Sequence, residues 1–293
     1  MDSTILSTLV LPVALGVVML GLGLSLTVGS FVEVLREPRV VVLVLACQLV
    51  VVPATGFALA VLFHPEPALA VGIMLLVATP GGTLANLFSH LAGADVAVNV
   101  TLTAITTIIS VVSFPLIANL ALHHFLSGDD QVSLPLAKVV PAIAVVLVPV
   151  ALGMLARRRR PALAARLQAP VKRGSAVILV LAIGASVVSE RDHLGTALAQ
   201  VSHVVAILGI LSVAVGYWVP RWGGLDHRTA VATSMEIGVH NTPLAIAVAL
   251  SPQLLDNPTM AFAPAVYSLV TLPMVAVYTY FIARTTAVQP SHA

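Results

Sequence analysis

Charged residues are scarce in this chain, and their scarcity excludes most classes of protein. Only 9% of the 293 residues are Asp, Glu, Lys or Arg, whereas soluble globular domains carry about 25%. Hydrophobic residues make up 59%, and the mean hydropathy is +1.05. No polar stretch is long enough to bury a core of its own. The sequence therefore predicts an all-α polytopic membrane protein, and nothing in it indicates a nucleic acid or an obligatory protein partner.

Cysteine and N-terminal positive charge are also lacking. Cys47 is the only cysteine, so no intrachain disulfide can form. Residues 1–4 contain no Lys or Arg, and the apolar run after them is too long for the hydrophobic region of a signal peptide. We therefore expect this run to be the first membrane helix.

Apolar runs of the roughly 20 residues that cross a bilayer recur along the whole chain. They lie at about 4–27, 39–63, 68–92, 95–122, 134–156, 174–189, 197–219, 228–250 and 259–283. The sequence thus predicts nine transmembrane helices, with the two termini on opposite sides of the membrane.

The positions of Lys and Arg predict the orientation. Two of the 14 basic residues, Lys138 and Arg191, fall in one set of alternate loops, and all the others fall in the opposite set. Positive charge accumulates on the cytoplasmic side. We expect a multi-pass protein of the cell inner (plasma) membrane, with the N-terminus outside and the C-terminus in the cytoplasm.

Two of the predicted helices are interrupted near their middle. In the third, Pro80, Gly81 and Gly82 remove a hydrogen-bond donor and loosen the backbone. In the eighth, Gly238 is followed by Asn241, Thr242 and Pro243, a pattern typical of a helix that ends and restarts.

The two interruptions have related positions. Each lies in the third element of a four-helix group, helices one to four and six to nine, and the two elements run in opposite directions. Proline and glycine also kink ordinary membrane helices. A matched pair in two halves, however, indicates the inverted repeat and central binding site of a secondary transporter.

Glu236 is the only carboxylate deep inside an apolar segment. An isolated carboxylate at the bilayer centre costs about 3 kcal/mol, so it needs a cation, a proton or a polar partner. The N-termini of half-helices favour an anionic group, and oxygen-bearing side chains favour a small cation. The oxygen-bearing candidates are Gln48, Thr83, Asn86, Asn99, Thr103 and Asn241.

The motifs around these residues resemble those of the bile acid:sodium symporter family. They are Pro-Gly-Gly-Thr-Leu-Ala-Asn at 80–86, Ala-Asp-Val-Ala-Val-Asn-Val-Thr-Leu-Thr at 94–103, and Glu-Ile-Gly-Val-His-Asn at 236–241, together with 16–24 and Gln48. The resemblance implies one transporter unit with a panel domain and a core domain, the core holding two crossed discontinuous helices. It implies repeats at about 4–122 and 174–284, a connecting helix at 134–156, and core helices at about 39–122 and 197–250.

The resemblance also implies two sodium sites and a substrate site. The first sodium site would comprise Ala85, Asn86, Asn99, Thr103 and Glu236. The second would comprise Gln48, Glu236, Ile237, Val239 and His240, in part through backbone carbonyls. Substrate would lie near Thr83, Asn86 and Asn241.

Three of these positions depart from the family pattern. Ala85 and Asn99 stand where Ser is usual, and both keep an oxygen that can bind sodium. His240 stands where Gln is usual, and an imidazole nitrogen is a poor ligand for a hard cation. Either His240, four residues after Glu236, pairs with it or takes a proton, or backbone carbonyls still hold the ion.

The function that the sequence predicts is sodium-coupled symport of an organic anion by alternating access. Proton-coupled or single-sodium transport through Glu236 and His240, and oxyanion efflux by a related fold, remain alternatives. An intramembrane hydrolase would need a nucleophile with a base, and none is evident, so we do not expect an enzyme. A channel would not accumulate substrate against a gradient.

Overall fold

The computed structural model describes most of the chain between residues 38 and 287. The described residues are 16–17, 20–21, 23–24, 38–126, 148–149, 151–167, 169–171, 173–174, 177, 191–251 and 254–287. Most of the first and sixth predicted helices, and most of the connecting helix at 134–156, therefore lie outside them.

The described residues form helices joined by short turns, without a β-strand among them. Helix α1 runs from Pro38 to Phe63 and includes a π-helical turn at Cys47–Val51. The others are α2 (Pro67–Ala78), α3 (Thr83–Leu91), α4 (Val96–Phe125), α5 (Arg191–Trp222), α6 (His227–Gly238), α7 (Thr242–Leu250) and α8 (Pro258–Ala287). Further helical residues lie at 151–159 and 161–167.

Four of these helices have the length and composition needed to span a membrane: Pro38–Phe63, Val96–Phe125, Gly195–Trp222 and Pro258–Arg284. They coincide with four of the predicted segments. Helix α2 is a shorter apolar helix, because the segment to which it belongs is interrupted. The all-helical, membrane-spanning class is therefore confirmed.

Both predicted interruptions are present. Helix α2 ends at Ala78 and α3 begins at Thr83, with Pro80 and two glycines between them. Helix α6 ends at Gly238 and α7 begins at Thr242. The Asn241 side chain caps α7 by accepting a 3.2 Å hydrogen bond from the Leu244 N–H. Gly238 therefore ends one helix and Asn241 begins the next, as the sequence predicts.

The interrupted helices lie in the interior, and the long helices surround them. Helix α2 is buried along Ala68–Ala78 and packs against α4 and α8, while α6 packs against α5, α3 and α4. Helix α6 is buried from Thr229 to Gly238 even though it is polar. A polar helix is stable in such a place only if its neighbours form hydrogen bonds with its polar groups. The buried carboxyl group of Glu236 needs such partners most.

Asp226 caps the entrance to α6 in the turn after α5. Its carboxylate accepts hydrogen bonds from the Thr229 N–H at 3.0 Å and the Thr229 hydroxyl at 2.7 Å. Partial burial raises the pKa of Asp226, but these hydrogen bonds outweigh burial and hold the pKa below its ordinary value. The ionised carboxylate thus stabilises the start of the helix that bears Glu236.

Replacing Asp226 by alanine is expected to lower the free energy of unfolding by about 1 kcal/mol, the usual cost of losing a helix cap. Because the folded pKa is lowered, the wild-type contribution is present above the unfolded pKa and is lost as pH falls through the folded pKa. Thermal unfolding in detergent, followed by tryptophan fluorescence, measures both effects. Asp226→Asn keeps a capping oxygen, so an equal loss in both variants would contradict the capping role.

Candidate functional site

The two interruptions meet and complete each other's backbone hydrogen bonds. The Gly82 N–H donates to the Val239 carbonyl at 2.6 Å, and the Asn241 N–H donates to the Pro80 carbonyl at 3.0 Å. Gly81 and His240 are paired as an isolated antiparallel bridge. Unpaired backbone groups are costly away from water, so each interruption is stabilised by the other.

Glu236 lies at this meeting point and is fully buried. Its Oε2 accepts a 2.5 Å hydrogen bond from the Thr103 hydroxyl, and its Oε1 accepts a 2.8 Å bond from the Thr106 hydroxyl. Gly81 lies so close that a Cβ there would collide with the carboxyl group. Among the described residues no Lys or Arg pairs with Glu236, so the carboxyl has hydroxyl partners but no cationic side chain.

The other residues of the first predicted sodium site lie around this carboxyl. The Asn99 Nδ2 donates to the Asn86 Oδ1 at 3.0 Å, and the Thr103 hydroxyl also contacts the Asn99 carbonyl at 3.0 Å. The Asn99 Oδ1 is buried and has no hydrogen-bond partner. Ala85 is buried in the apolar cluster between α3 and α6. The structure therefore gathers these residues from α3, α4 and α6, with one amide oxygen free to accept.

The residues of the second predicted sodium site are arranged differently. The Gln48 Nε2 donates to the Thr79 carbonyl at 2.6 Å, while the Gln48 Oε1 is buried without a partner. His240 packs its ring against Tyr267, with centroids 5.4 Å apart, and neither ring nitrogen makes a hydrogen bond. Ile237 is fully buried in the apolar core.

The pairing of His240 with Glu236, which was one of the alternatives, is not formed in this structure. A spacing of four residues makes neighbours only within a continuous helix. Helix α6 ends at Gly238, so His240 lies in the interruption, and the Glu236 carboxyl bonds to α4 instead. The Thr79 carbonyl is close to the imidazole but outside hydrogen-bonding geometry.

A cavity of about 210 Å³ lies between the interruptions and α8. It is lined by residues that include Gly82, Asn241 and Thr242, together with Ser268 and Thr271 of α8. The N-terminus of α7 is therefore at the cavity wall. Of the predicted substrate residues, Asn241 lines the cavity, Asn86 bonds to Asn99, and the side chain of Thr83 lies outside the described part of the chain.

Two polar residues at this site were missed by sequence reasoning. Thr106 was not among the predicted site residues, yet it bonds Glu236. Its spacing of three from Thr103, which places both on one face of α4, is the signal that could have identified it. Tyr267 of α8 donates its hydroxyl to the Gly238 carbonyl at 2.7 Å and so satisfies the last turn of α6. Nothing in the local sequence indicated that contact.

Comparison with known proteins identifies the family. The model of the Sodium Bile acid symporter family matches residues 12–197. The chain belongs to that family. Members of the family are transporters, so the hydrolase alternative is excluded.

Three relatives illustrate the range of the family. The rice protein named "Probable sodium/metabolite cotransporter BASS2, chloroplastic" is 27% identical over 90% of this chain and 61% of its own length. The "Uncharacterized sodium-dependent transporter YocS" of Bacillus subtilis (strain 168) is 28% identical over 80% of this chain and 72% of its own. The human "Ileal sodium/bile acid cotransporter" is 26% identical over 95% of this chain and 80% of its own.

Proposed function

We propose that this protein is a secondary transporter that carries an organic anion together with sodium. The observation that supports this most strongly is the buried Glu236 carboxyl at the meeting point of two interrupted helices. A cation beside it would offset the cost of keeping a carboxylate in the membrane. The names of the relatives from rice, Bacillus and human each include sodium, as cotransporters or as a sodium-dependent transporter, and agree with that cation being sodium.

The first sodium position comprises Ala85, Asn86, Asn99, Thr103 and Glu236. Hard cations are held by oxygen atoms. This group offers the bonded carboxylate and hydroxyl of Glu236 and Thr103 and the amide oxygens of the bonded Asn86–Asn99 pair, and the Thr103 hydroxyl also contacts the Asn99 carbonyl. The Asn99 Oδ1 has no hydrogen-bond donor, so it is available as a further oxygen ligand in this group.

The proposed architecture is nine helices in an inverted repeat, with the interrupted helices crossing in the core domain. A separate panel domain of the first and fifth helices is supported by close packing of Gly153 against Leu20 and Leu24. Alternating access would move core against panel. We place the protein in the cell inner membrane with its C-terminus in the cytoplasm, following the distribution of Lys and Arg.

The substrate we propose is a small carboxylate. The cavity beside the N-terminus of α7 measures about 210 Å³, below the 300 to 1,000 Å³ or so of sites for drug-sized ligands. Helix N-termini attract anions, and Asn241, Thr242 and Ser268 add polar groups to the wall. Thr83 and Asn86 complete the proposed substrate contacts.

A screen of carboxylates against the purified protein tests the proposal. We expect an acid of few carbons to raise the melting temperature in sodium buffer but not in choline buffer, because a ligand stabilises only the state that binds it. The acid so identified is then supplied to proteoliposomes under a sodium gradient or a pH gradient. Accumulation driven by the pH gradient alone would contradict sodium coupling and favour the proton-coupled alternative.

A further inference from the structure

We infer that the second predicted sodium position does not bind sodium in this protein, so that transport is coupled to a single sodium ion at the first position. This inference rests on the proposed function and specifies its stoichiometry. It follows from the direction in which the shared Glu236 carboxyl points and from the chemistry of the other ligands at each position.

The carboxylate that the two positions would share is turned toward the first. Both oxygens of Glu236 accept hydrogen bonds from α4, one from Thr103 and one from Thr106. No described contact joins the carboxyl to Gln48 or His240. Among the described contacts, therefore, the negatively charged oxygens of Glu236 serve the first position and not the second.

Three backbone carbonyls of the interruption already accept a hydrogen bond. The Gly238 carbonyl accepts from the Tyr267 hydroxyl at 2.7 Å, the Val239 carbonyl from the Gly82 N–H at 2.6 Å, and the His240 carbonyl from the Thr242 N–H at 2.9 Å. Of these three bonds, only the one from Gly82 joins the two interruptions. A carbonyl keeps a second lone pair, so an ion at the second position would have to bind in the direction that these bonds leave open.

The two side chains of the second position supply a single free oxygen. Gln48 uses its amide nitrogen on the Thr79 carbonyl, which requires a donor, so the amide orientation is fixed and only the Gln48 Oε1 is free. His240 supplies nitrogen, which hard cations bind poorly. One unpartnered oxygen and an imidazole nitrogen make a poor site for sodium, whereas every side-chain ligand of the first position, on Asn86, Asn99, Thr103 and Glu236, is an oxygen and one of them is a carboxylate.

Substituting an amide for the imidazole should restore the missing ligand. In His240→Gln the new side chain has an amide oxygen at its end, and both Gln48 and residue 240 lie near the Thr79 carbonyl. Two amide oxygens would then be available where the wild-type protein has one. The substitution is expected to create a second sodium site rather than to remove a function.

Binding of radioactive sodium to the purified full-length protein tests the inference without knowledge of the substrate. We expect about one saturable ion per wild-type chain with a Hill coefficient of about 1, and about two ions per chain with a coefficient approaching 2 for His240→Gln, since the Hill coefficient cannot exceed the number of coupled sites. In the double variant His240→Gln/Gln48→Ala the gained ion should be lost again.

Each other outcome has a distinct meaning. Two ions per wild-type chain, or no gain in a folded His240→Gln variant, would overturn the inference while leaving sodium coupling intact. Absence of any saturable sodium binding in the wild-type protein would overturn the proposed function together with the inference. If His240→Gln does not fold, the wild-type stoichiometry alone decides.

Discussion

Replacing Glu236 by glutamine is expected to abolish sodium-dependent uptake while leaving the protein folded. Glutamine has nearly the same shape and keeps a carbonyl oxygen for Thr103 or Thr106, so the packing of α4 against α6 survives. The charge is lost, however, and removing one partner from a buried charge interaction costs about 3 kcal/mol or more. That corresponds to a sodium affinity at least about 100-fold weaker.

Uptake into proteoliposomes under a sodium gradient measures the loss, and the melting temperature in choline buffer checks folding. Glu66→Gln is the matched control, because Glu66 is an exposed carboxylate at the start of α2 whose side chain makes no capping bond. We expect the control to retain wild-type uptake. Undiminished sodium dependence in Glu236→Gln would remove Glu236 from the ion site.

Replacing Gly81 by alanine is expected to weaken sodium binding by about 10-fold or more. The added Cβ would occupy the space of the Glu236 carboxyl and push it away from Thr103 and Thr106. Overpacking of a tight interior typically costs about 1 to 3 kcal/mol. Here the strain falls on Glu236, the proposed ion ligand.

The sodium concentration that gives half-maximal stabilisation or uptake measures this effect. Gly195→Ala provides the control, because a Cβ on Gly195 of α5 meets no atom nearby. Replacing a helical glycine by alanine leaves the stability of the protein unchanged or raises it. A Gly81→Ala variant with unchanged sodium affinity would show that the carboxyl has room to move, and it would contradict the fixed geometry described above.

The sequence was most informative where covalent chemistry restricts the backbone. Proline lacks a donor and glycine loosens the chain, so Pro80 and Gly238 marked the interruptions to within a few residues. A carboxylate among apolar residues is equally conspicuous, and Glu236 was recognised for that reason. These signals are local and need no knowledge of the fold.

Contacts between distant segments could not be predicted in this way. The hydroxyl of Thr106 reaches Glu236 only because α4 packs against α6, and the Tyr267 hydroxyl reaches Gly238 only because α8 passes the end of that helix. The pairing of His240 with Glu236, one of the alternatives, is not formed. A spacing of four residues makes neighbours only within a continuous helix, and helix α6 ends at Gly238, before His240.

The bonds between Glu236 and α4 also have a consequence for the order in which the chain is assembled. Thr103 and Glu236 are separated by 133 positions, so the hydroxyls are synthesised and inserted long before the carboxyl that they bind. Chains emerge from the ribosome N-terminal part first, and closing such a long loop is slow. We therefore expect helix α6 to insert after the hydroxyls of α4 are in place, and the proposed ion site to form late.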